Sequence, residues 1–460
     1  MRKVSEPRPR IALLTPYNGG NLGDAAIQDA IIANLRLRLP GAQFSGISLN
    51  CDNFVARHGV AAFPLCATSR PFYGMSQGSV AAPPGPAYDL RAAPSCNGRD
   101  ASRIRRVLKK VPGVWRLLTR VRAGVIGPWR EMLHWWNGYR FLRTQDLLIV
   151  SGGGQLDEEW GGAWGHPFAL FKWAVLARVV RIPYVIVSVG AQKAASATCR
   201  LFLSAALRMA RYRSFRDDHS RKTATGMLPS ATADPIVPDL AFSLPSSELP
   251  RPAKMRSIAR GRPVIAICPI AYAKSRSWPF AHRAVYERYV QQMRQVISAL
   301  LERGHNLVIA CSSIGDDESV IPELLEGLEE ESQKRFFAQI SIPRIMTWKD
   351  FATALVDVDF LIASRLHSTI LGFLTHTPAV AISFDPKVDW VMEDLGQTDY
   401  LLQIRTFTAE DVIEALARIQ LRRHVVVEQI ASYQHRISSL CKRQYDALSN
   451  LAIASSQNRN

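Results

Sequence analysis

No stretch of this 460-residue chain approaches the roughly 18 consecutive apolar residues that a membrane-spanning helix requires. The amino terminus, MRKVSEPRPRIALLTPYNGG, is basic, but its apolar run of about five residues is too short for a secretory leader and reads as a first buried strand. Cysteine is sparse and scattered: Cys51, Cys66, Cys96, Cys199, Cys268, Cys311 and Cys441 form neither a CxxC pair nor a Cys/His cluster. That excludes a disulfide framework and gives no sign of a structural zinc site. The expectation is a cytoplasmic protein with reduced thiols and no metal.

Acid is also in short supply. Lys and Arg number 57 against 39 Asp and Glu, a net charge of +18, which calls for an anionic partner. Between Arg99 and Arg143 twelve Lys/Arg face only Asp100 and Glu131. Within that stretch Ile104, Leu108, Val111, Trp115 and Leu118 recur at helical spacing, broken by Pro112-Gly113, and Trp129, Trp135 and Trp136 follow among arginines. A basic amphipathic segment with tryptophans suits an anionic membrane surface, at the inner face if the protein is cytoplasmic. Packing of its apolar side on the parent domain is the alternative. No nucleic-acid-binding module surrounds it, so nucleic acid is not expected as a partner.

What the sequence has in abundance is a repeated strand, loop and helix. Short β-branched runs at Ile11–Thr15, Asp146–Val150, Tyr184–Val189, Val264–Cys268, Leu307–Cys311, Asp359–Ala363 and Ala379–Ser383 mostly run into Gly, Ser or Asn before a helical pattern. This is the signature of parallel α/β layers with ligands at the carboxyl ends of the strands. Residues 244–262 read as a linker. The chain therefore divides into an N-terminal domain over 1–250, carrying a basic insertion at about 66–145, and a C-terminal domain over 263–460. Asp411–Leu451 reads as one or two closing helices.

The strand ends hold the candidate chemistry. NGGNLGD (18–24) has neither dinucleotide nor Walker spacing; its glycines allow a tight turn, Asp24 can cap the next helix, and Asn18 and Asn21 are left for a ligand. SGGGQLDE (151–158) lets a ligand approach the backbone at Gly153 and Gly154 and puts Asp157 beside the cleft. SVGAQ (188–192) ends in Gln192, and RSFRDDHS (213–220) places Arg216 to hold a phosphate or carboxylate, or merely to pair with Asp217. In IASRLHS (362–368), with Ser364 as cap, Arg365 and His367 fall in the first helical turn. A cation there costs roughly 0.3–1 kcal/mol. Something anionic is expected beside it, either a ligand or a carboxylate such as Asp385. Lys387 in the next strand-end loop adds a cation, and together these residues point to a small polyanion.

In order along the chain, N-x-G-D-x-A-I (21–27), G-G-G-Q-L-D (152–157), G-A-Q (190–192), R-D-x-x-S (216–220), A-D-P (233–235), R-L-H-S-x-I (365–370) and D-P-K-V (385–388) resemble the polysaccharide pyruvyl transferase family. The 51–145 region matches nothing in that pattern, and Phe384 stands where the family often has Tyr. The resemblance implies two Rossmann-like domains with parallel sheets in a GT-B-like arrangement, with the site in the cleft between them. It implies phosphoenolpyruvate as donor, a pyruvate ketal on two sugar hydroxyls as product, and no cofactor. The acceptor is then a saccharide, or a lipid-linked oligosaccharide if the membrane reading holds. On that reading Arg365, Arg216 and Lys387 hold the donor's anionic groups. Leu366, Ser368, Asn21, Gly153, Gly154 and Gln192 line the substrate. His367 protonates the methylene carbon, with Asp24, Asp157, or His367 itself after giving up its proton, as base. Lys274 or Arg276, after the first C-terminal strand, is a further candidate contact.

Two other readings start from the same residues. A nucleotide-sugar glycosyltransferase of this architecture needs a carboxylate for the ribose, for which Glu393 and Asp394 are candidates. A non-catalytic membrane-surface scaffold would rest on 99–143 alone, and it leaves Arg365 and His367 unexplained.

Overall fold

The computed structural model describes residues 8–17, 19–67, 127–159, 161–194, 196–250, 262–274, 282–315, 317–326 and 337–459. Two parallel sheets organise the protein. The first contains β1 (Arg10–Leu14), β2 (Gln43–Ser48), β3 (Ala61–Pro64), β4 (Leu147–Ser151), β5 (Gly154–Leu156), β6 (Tyr184–Ala191) and β7 (Tyr212–Phe215). Its order is β3-β2-β1-β4-β6-β5, with β7 also pairing with β6. The second contains β8 (Val264–Cys268), β9 (Asn306–Ile309), β10 (Ile340–Ser341), β11 (Phe360–Ala363), β12 (Ala379–Ser383) and β13 (Leu401–Gln403), in the order β10-β9-β8-β11-β12-β13.

The seven expected strands are β1, β4 and β6 of the first sheet and β8, β9, β11 and β12 of the second. These strands lie inside their sheets and, apart from β9, are buried along almost their whole length, so their sequences are largely apolar runs. The unexpected strands flank them. QFSGIS (β2) and LLQ (β13) carry polar residues, and IS (β10) has two residues. Such segments lack the periodic signal that marks a buried strand.

Helices connect the strands: α1 (Leu22–Arg38), α2 (Cys51–His58), α3 (Gly127–Leu142), α4 (His166–Val180), α5 (Ala197–Met209) and α6 (Asp218–Thr225) in the first half. The second half adds α7 (Arg283–Glu302), α8 (Trp348–Leu355), α9 (Leu366–Leu374), α10 (Pro386–Asp394), α11 (Ala409–Leu421) and α12 (Arg423–Gln457). The closing stretch is thus two helices. The second runs back to the first sheet, where Gln444 Nε2 donates to Ser188 Oγ (3.1 Å) and Tyr212 Oη donates to Gln444 Oε1 (3.2 Å). Among the described residues no helix is long and apolar enough to cross a membrane.

In each sheet the strand order reverses at one point, between β1 and β4 and between β8 and β11. Crevices open at the carboxyl ends of such pairs. Here the two crevices meet. Leu22 N donates to Ser312 O (3.0 Å), Ile314 N donates to Gly20 O (2.9 Å), and Asn21 bridges Ser313. These bonds join the loop after β1 to the loop after β9.

Of the basic insertion, α3 is described, whereas the Ile104–Leu118 pattern lies outside the described residues. Trp135 packs inward on the core, Lys172 pairs with Glu131 (2.7 Å), and His134 Nε2 lies 2.9 Å from Pro64 O. Trp129, Met132, Leu133 and Trp136 form an exposed apolar stripe on the other side.

Candidate active site

The loop after β1 is built around Asn21, which caps α1 by accepting from Gly23 N (3.0 Å). The expected cap, Asp24, is instead inside the first turn, so its carboxylate is free to face the crevice. Gly23 then has a role that turn geometry does not suggest: a Cβ there would fall 1.8 Å from His367 Cγ. The imidazole of α9 lies directly on this glycine, which makes it a contact between the two halves of the protein. Asn18 lies outside the described residues.

Asp24 is half-buried, and desolvation in the crevice raises its carboxyl above the ordinary range. The charge of Asp239 adds to that effect, while His367, Arg216 and Lys387 oppose it. After β4, Gly152 and Gly153 adopt left-handed backbone (φ 55° and 71°), and the turn brings Gly153 O within 2.8 Å of Gly190 N. A Cβ on Gly154 would sit 3.5 Å from Lys387 Nζ and 3.7 Å from Asp157 Oδ2, so this backbone lines the same space. Burial, and then the charge of Glu159, push the Asp157 carboxyl up to about 7.

Gln192 closes that side. Its amide is oriented with the oxygen accepting from Lys387 Nζ (3.0 Å) and the nitrogen donating to Glu159 Oε1 (3.3 Å). Lys387 follows Asp385, the cap of α10, and lies 3.2 Å from its Oδ2. Arg216, immediately after β7, donates from Nε to Asp217 Oδ2 (3.1 Å). Its Nη2 is buried and has no hydrogen-bond partner among the described residues. A Cβ on Gly190 would lie 2.7 Å from this guanidinium. Gly190 is therefore the space that Arg216 occupies.

The loop after β11 differs from expectation. Arg365, not Ser364, occupies the cap position of α9, and Ser364 Oγ lies 3.0 Å from Tyr289 Oη. The anion beside Arg365 is Asp317, not Asp385. Arg365 Nη2 donates to Asp317 Oδ1 (2.9 Å), and Nε donates to Oδ2. Asp317 is fully enclosed and also accepts from Ala271 N (3.0 Å). The cost of a cation at this helix start is thus offset within the protein. Leu366 is half-buried, with its side chain against the core, and Ser368 Oγ is buried and donates to Ser312 Oγ (2.8 Å). Ser368 so supports the loop that bonds to the Asn21 turn. Lys274 pairs with Glu323 (2.6 Å), and Arg276 lies outside the described residues. Glu393 and Asp394 are exposed at the end of α10.

Asp239 was not anticipated. Its Oδ1 accepts from Ala241 N (3.0 Å), and its Oδ2 faces His367 Nε2 at 3.7 Å, both atoms being buried. Although burial opposes it, contact with His367 and the charges of His367 and Arg216 hold the Asp239 carboxyl below its ordinary range. Nothing local marks this residue, since VPDLAF is an unremarkable loop sequence. Asp24, Asp157, Asp239, Arg216, Lys387 and His367 therefore share one crevice, where three acids, two cations and an imidazole are linked by electrostatic contact.

The family model for polysaccharide pyruvyl transferase matches residues 21–386. No curated protein matches the sequence. Among solved structures, a protein described as a putative UDP-N-acetylglucosamine 2-epimerase from Listeria monocytogenes is similar in fold, with TM-score 0.52 and 10% identity over 96% of this chain and 97% of its own. MnaA of S. aureus, solved with UDP, gives a TM-score of 0.51 at 9% identity over 92% and 90%. The Neisseria meningitidis UDP-GlcNAc 2-epimerase, bound to UDP-GlcNAc, gives 0.50 at 10% over 96% and 99%. At these identities the likeness shows the fold alone, the two-sheet GT-B architecture.

Proposed function

Because this chain belongs to the polysaccharide pyruvyl transferase family, we propose that it transfers pyruvate from phosphoenolpyruvate to two hydroxyls of a sugar, forming a ketal and releasing phosphate. The observation that carries this reading is the buried Arg216 Nη2, which has no hydrogen-bond partner among the described residues and shares the crevice with Lys387 and His367. A buried guanidinium donor without an acceptor is costly, and a bound carboxylate or phosphate supplies one. Lys387 is the second cation. Arg365, paired with Asp317, contributes by holding the start of α9, and with it His367, in place.

In this mechanism His367 gives a proton to the methylene carbon, whose π pair forms the new C–H bond and leaves C2 cationic. One sugar hydroxyl adds to C2. The second hydroxyl then forms the other C–O bond as the C2–O bond to phosphate breaks. A carboxyl held near 7, such as Asp157, is suited to take a hydroxyl proton, and the raised Asp24 interacts with the same two cations, Arg216 and Lys387. Phosphoenolpyruvate is a substrate here, and the scheme uses no cofactor or metal.

The test is purified protein with phosphoenolpyruvate and a panel of oligosaccharides, followed by phosphate release and mass spectrometry. Phosphate release together with a pyruvate ketal supports the reading. A glycosyl product from a nucleotide sugar, with none from phosphoenolpyruvate, would overturn it.

The acceptor on this reading is carried at an anionic membrane surface. The exposed Trp129, Met132, Leu133 and Trp136 stripe on α3, beside Arg130, Arg140 and Arg143, supports that placement. Replacing Trp129 and Trp136 by Ala is expected to abolish sedimentation with phosphatidylglycerol vesicles while leaving the melting temperature unchanged. Equal sedimentation of the variant would remove α3 from the account.

A further inference from the structure

We infer that Asp239 is a positioning residue that fixes the proton on His367 Nε2 and so leaves Nδ1 as the nitrogen that works on substrate. The two atoms concerned, Asp239 Oδ2 and His367 Nε2, are both buried, both without a hydrogen-bond partner among the described residues, and 3.7 Å apart. They belong to opposite halves of the protein: Asp239 precedes the linker, and His367 is in the first turn of α9. A sub-ångström approach of the halves turns this facing pair into a hydrogen bond. Neither atom has a competing partner that the approach would have to break.

The ring is packed at both ends. Its Cγ, Nδ1 and Cδ2 edge rests on Gly23, where a Cβ would fall 1.8 to 2.3 Å from those atoms, and its far edge points at Asp239. Of the other charged groups, Asp24 from α1 interacts with the ring, and Arg216 from the end of β7 and Lys387 from α10 act in turn on Asp24. Asp239 is the carboxylate aligned with Nε2. With the proton held there, Nδ1 of the neutral ring is an acceptor for a sugar hydroxyl proton. In the doubly protonated ring, Nδ1–H is the donor to the methylene carbon. One nitrogen thus serves both proton transfers, and Asp239 touches neither substrate.

The backbone makes this testable with a single atom change. Asp239 Oδ1 is occupied, accepting from Ala241 N at 3.0 Å. In Asp239→Asn the remaining oxygen must keep that bond, so the NH₂ group takes the place of Oδ2. An NH₂ facing Nε2 requires Nε2 to accept, which drives the neutral ring's proton to Nδ1. The wrong tautomer at an otherwise intact catalytic histidine lowers turnover by roughly 10²–10⁴-fold.

The experiment is ¹⁵N NMR of histidine-labelled full-length protein at alkaline pH, with His367 assigned through His367→Gln. The expected result is an Nε2–H tautomer in the wild type and an Nδ1–H tautomer in Asp239→Asn. An Nδ1–H wild type, or the same tautomer in both proteins, overturns the inference. The wild-type spectrum is decisive even if the variant fails to fold. The pyruvyl reading enters only through the chemistry assigned to Nδ1. A confirmed tautomer switch without phosphoenolpyruvate turnover in the wild type would therefore contradict the proposed reaction and leave the Asp239 assignment standing. In an active enzyme, Asp239→Asn is expected to lose turnover while phosphoenolpyruvate still raises its melting temperature. Unchanged turnover would overturn the positioning role.

Discussion

The ends of β7 (YRSF) and β11 (FLIA) look alike in the sequence, each leading within two residues to an arginine, and the protein uses the two differently. Arg365 is bound on two sides by the fully enclosed Asp317. Arg216 has one bond to its neighbour Asp217 and a buried Nη2 without a partner among the described residues. The first is a fixed ion pair that holds the start of α9, and with it His367, in place. The second is a cation held ready for an acceptor. A strand-end arginine is thus informative about a ligand only once its intramolecular partners are known.

The sharpest way to break this comparison acts on what the Arg365 side positions. Gly23→Ala would place a methyl group in the His367 ring and push the imidazole off the crevice. A displacement of about 1 Å at a catalytic group costs on the order of 100-fold in turnover, so steady-state assays should show at least that loss, with donor binding largely kept. Next, Arg365→Ala leaves Asp317 buried and unpaired. It should lower stability by about 3 kcal/mol in denaturant unfolding, whereas Arg216→Gln should cost about 1 kcal/mol. Equal losses would erase the distinction between the two sites.

A smaller effect separates Asp157 from both arginines. Its carboxyl is raised from 3.8 to about 7 in the folded protein, so the neutral form is the one that favours folding. That contribution is fully present below pH about 3.8 and lost as pH rises through about 7. Asp157→Asn should therefore melt several degrees above the wild type at pH 8, with the difference shrinking toward pH 5. A difference that grows on acidification would reverse the assignment.

Much of this arrangement can be read in the sequence, and the residues show where reading stops. The inner strands of both sheets are legible because burial demands largely apolar runs. The flanking strands β2, β10 and β13 are not, because polar residues or brevity hide them. Glycines and charged residues at strand ends converge on the crevice, but the reasons differ from those that turn geometry supplies. Gly23 and Gly190 make room for His367 and Arg216, contacts formed between distant segments. Asp317 lies 48 residues before the arginine it binds, and Asp239 sits in a loop without pattern. Isolated acids of this kind become visible only when the chain has folded them against a cation or an imidazole.

The central claim is that Arg216 Nη2 donates to phosphoenolpyruvate. Isothermal titration of phosphoenolpyruvate into the wild type, Arg216→Gln and Lys387→Gln, each verified as folded, tests it. The expected result is saturable binding in the wild type, weakened about 10- to 100-fold by loss of the charge-assisted bonds from Arg216, and less by Lys387→Gln. Wild-type affinity in Arg216→Gln, or no binding of phosphoenolpyruvate to the wild type at all, would contradict it.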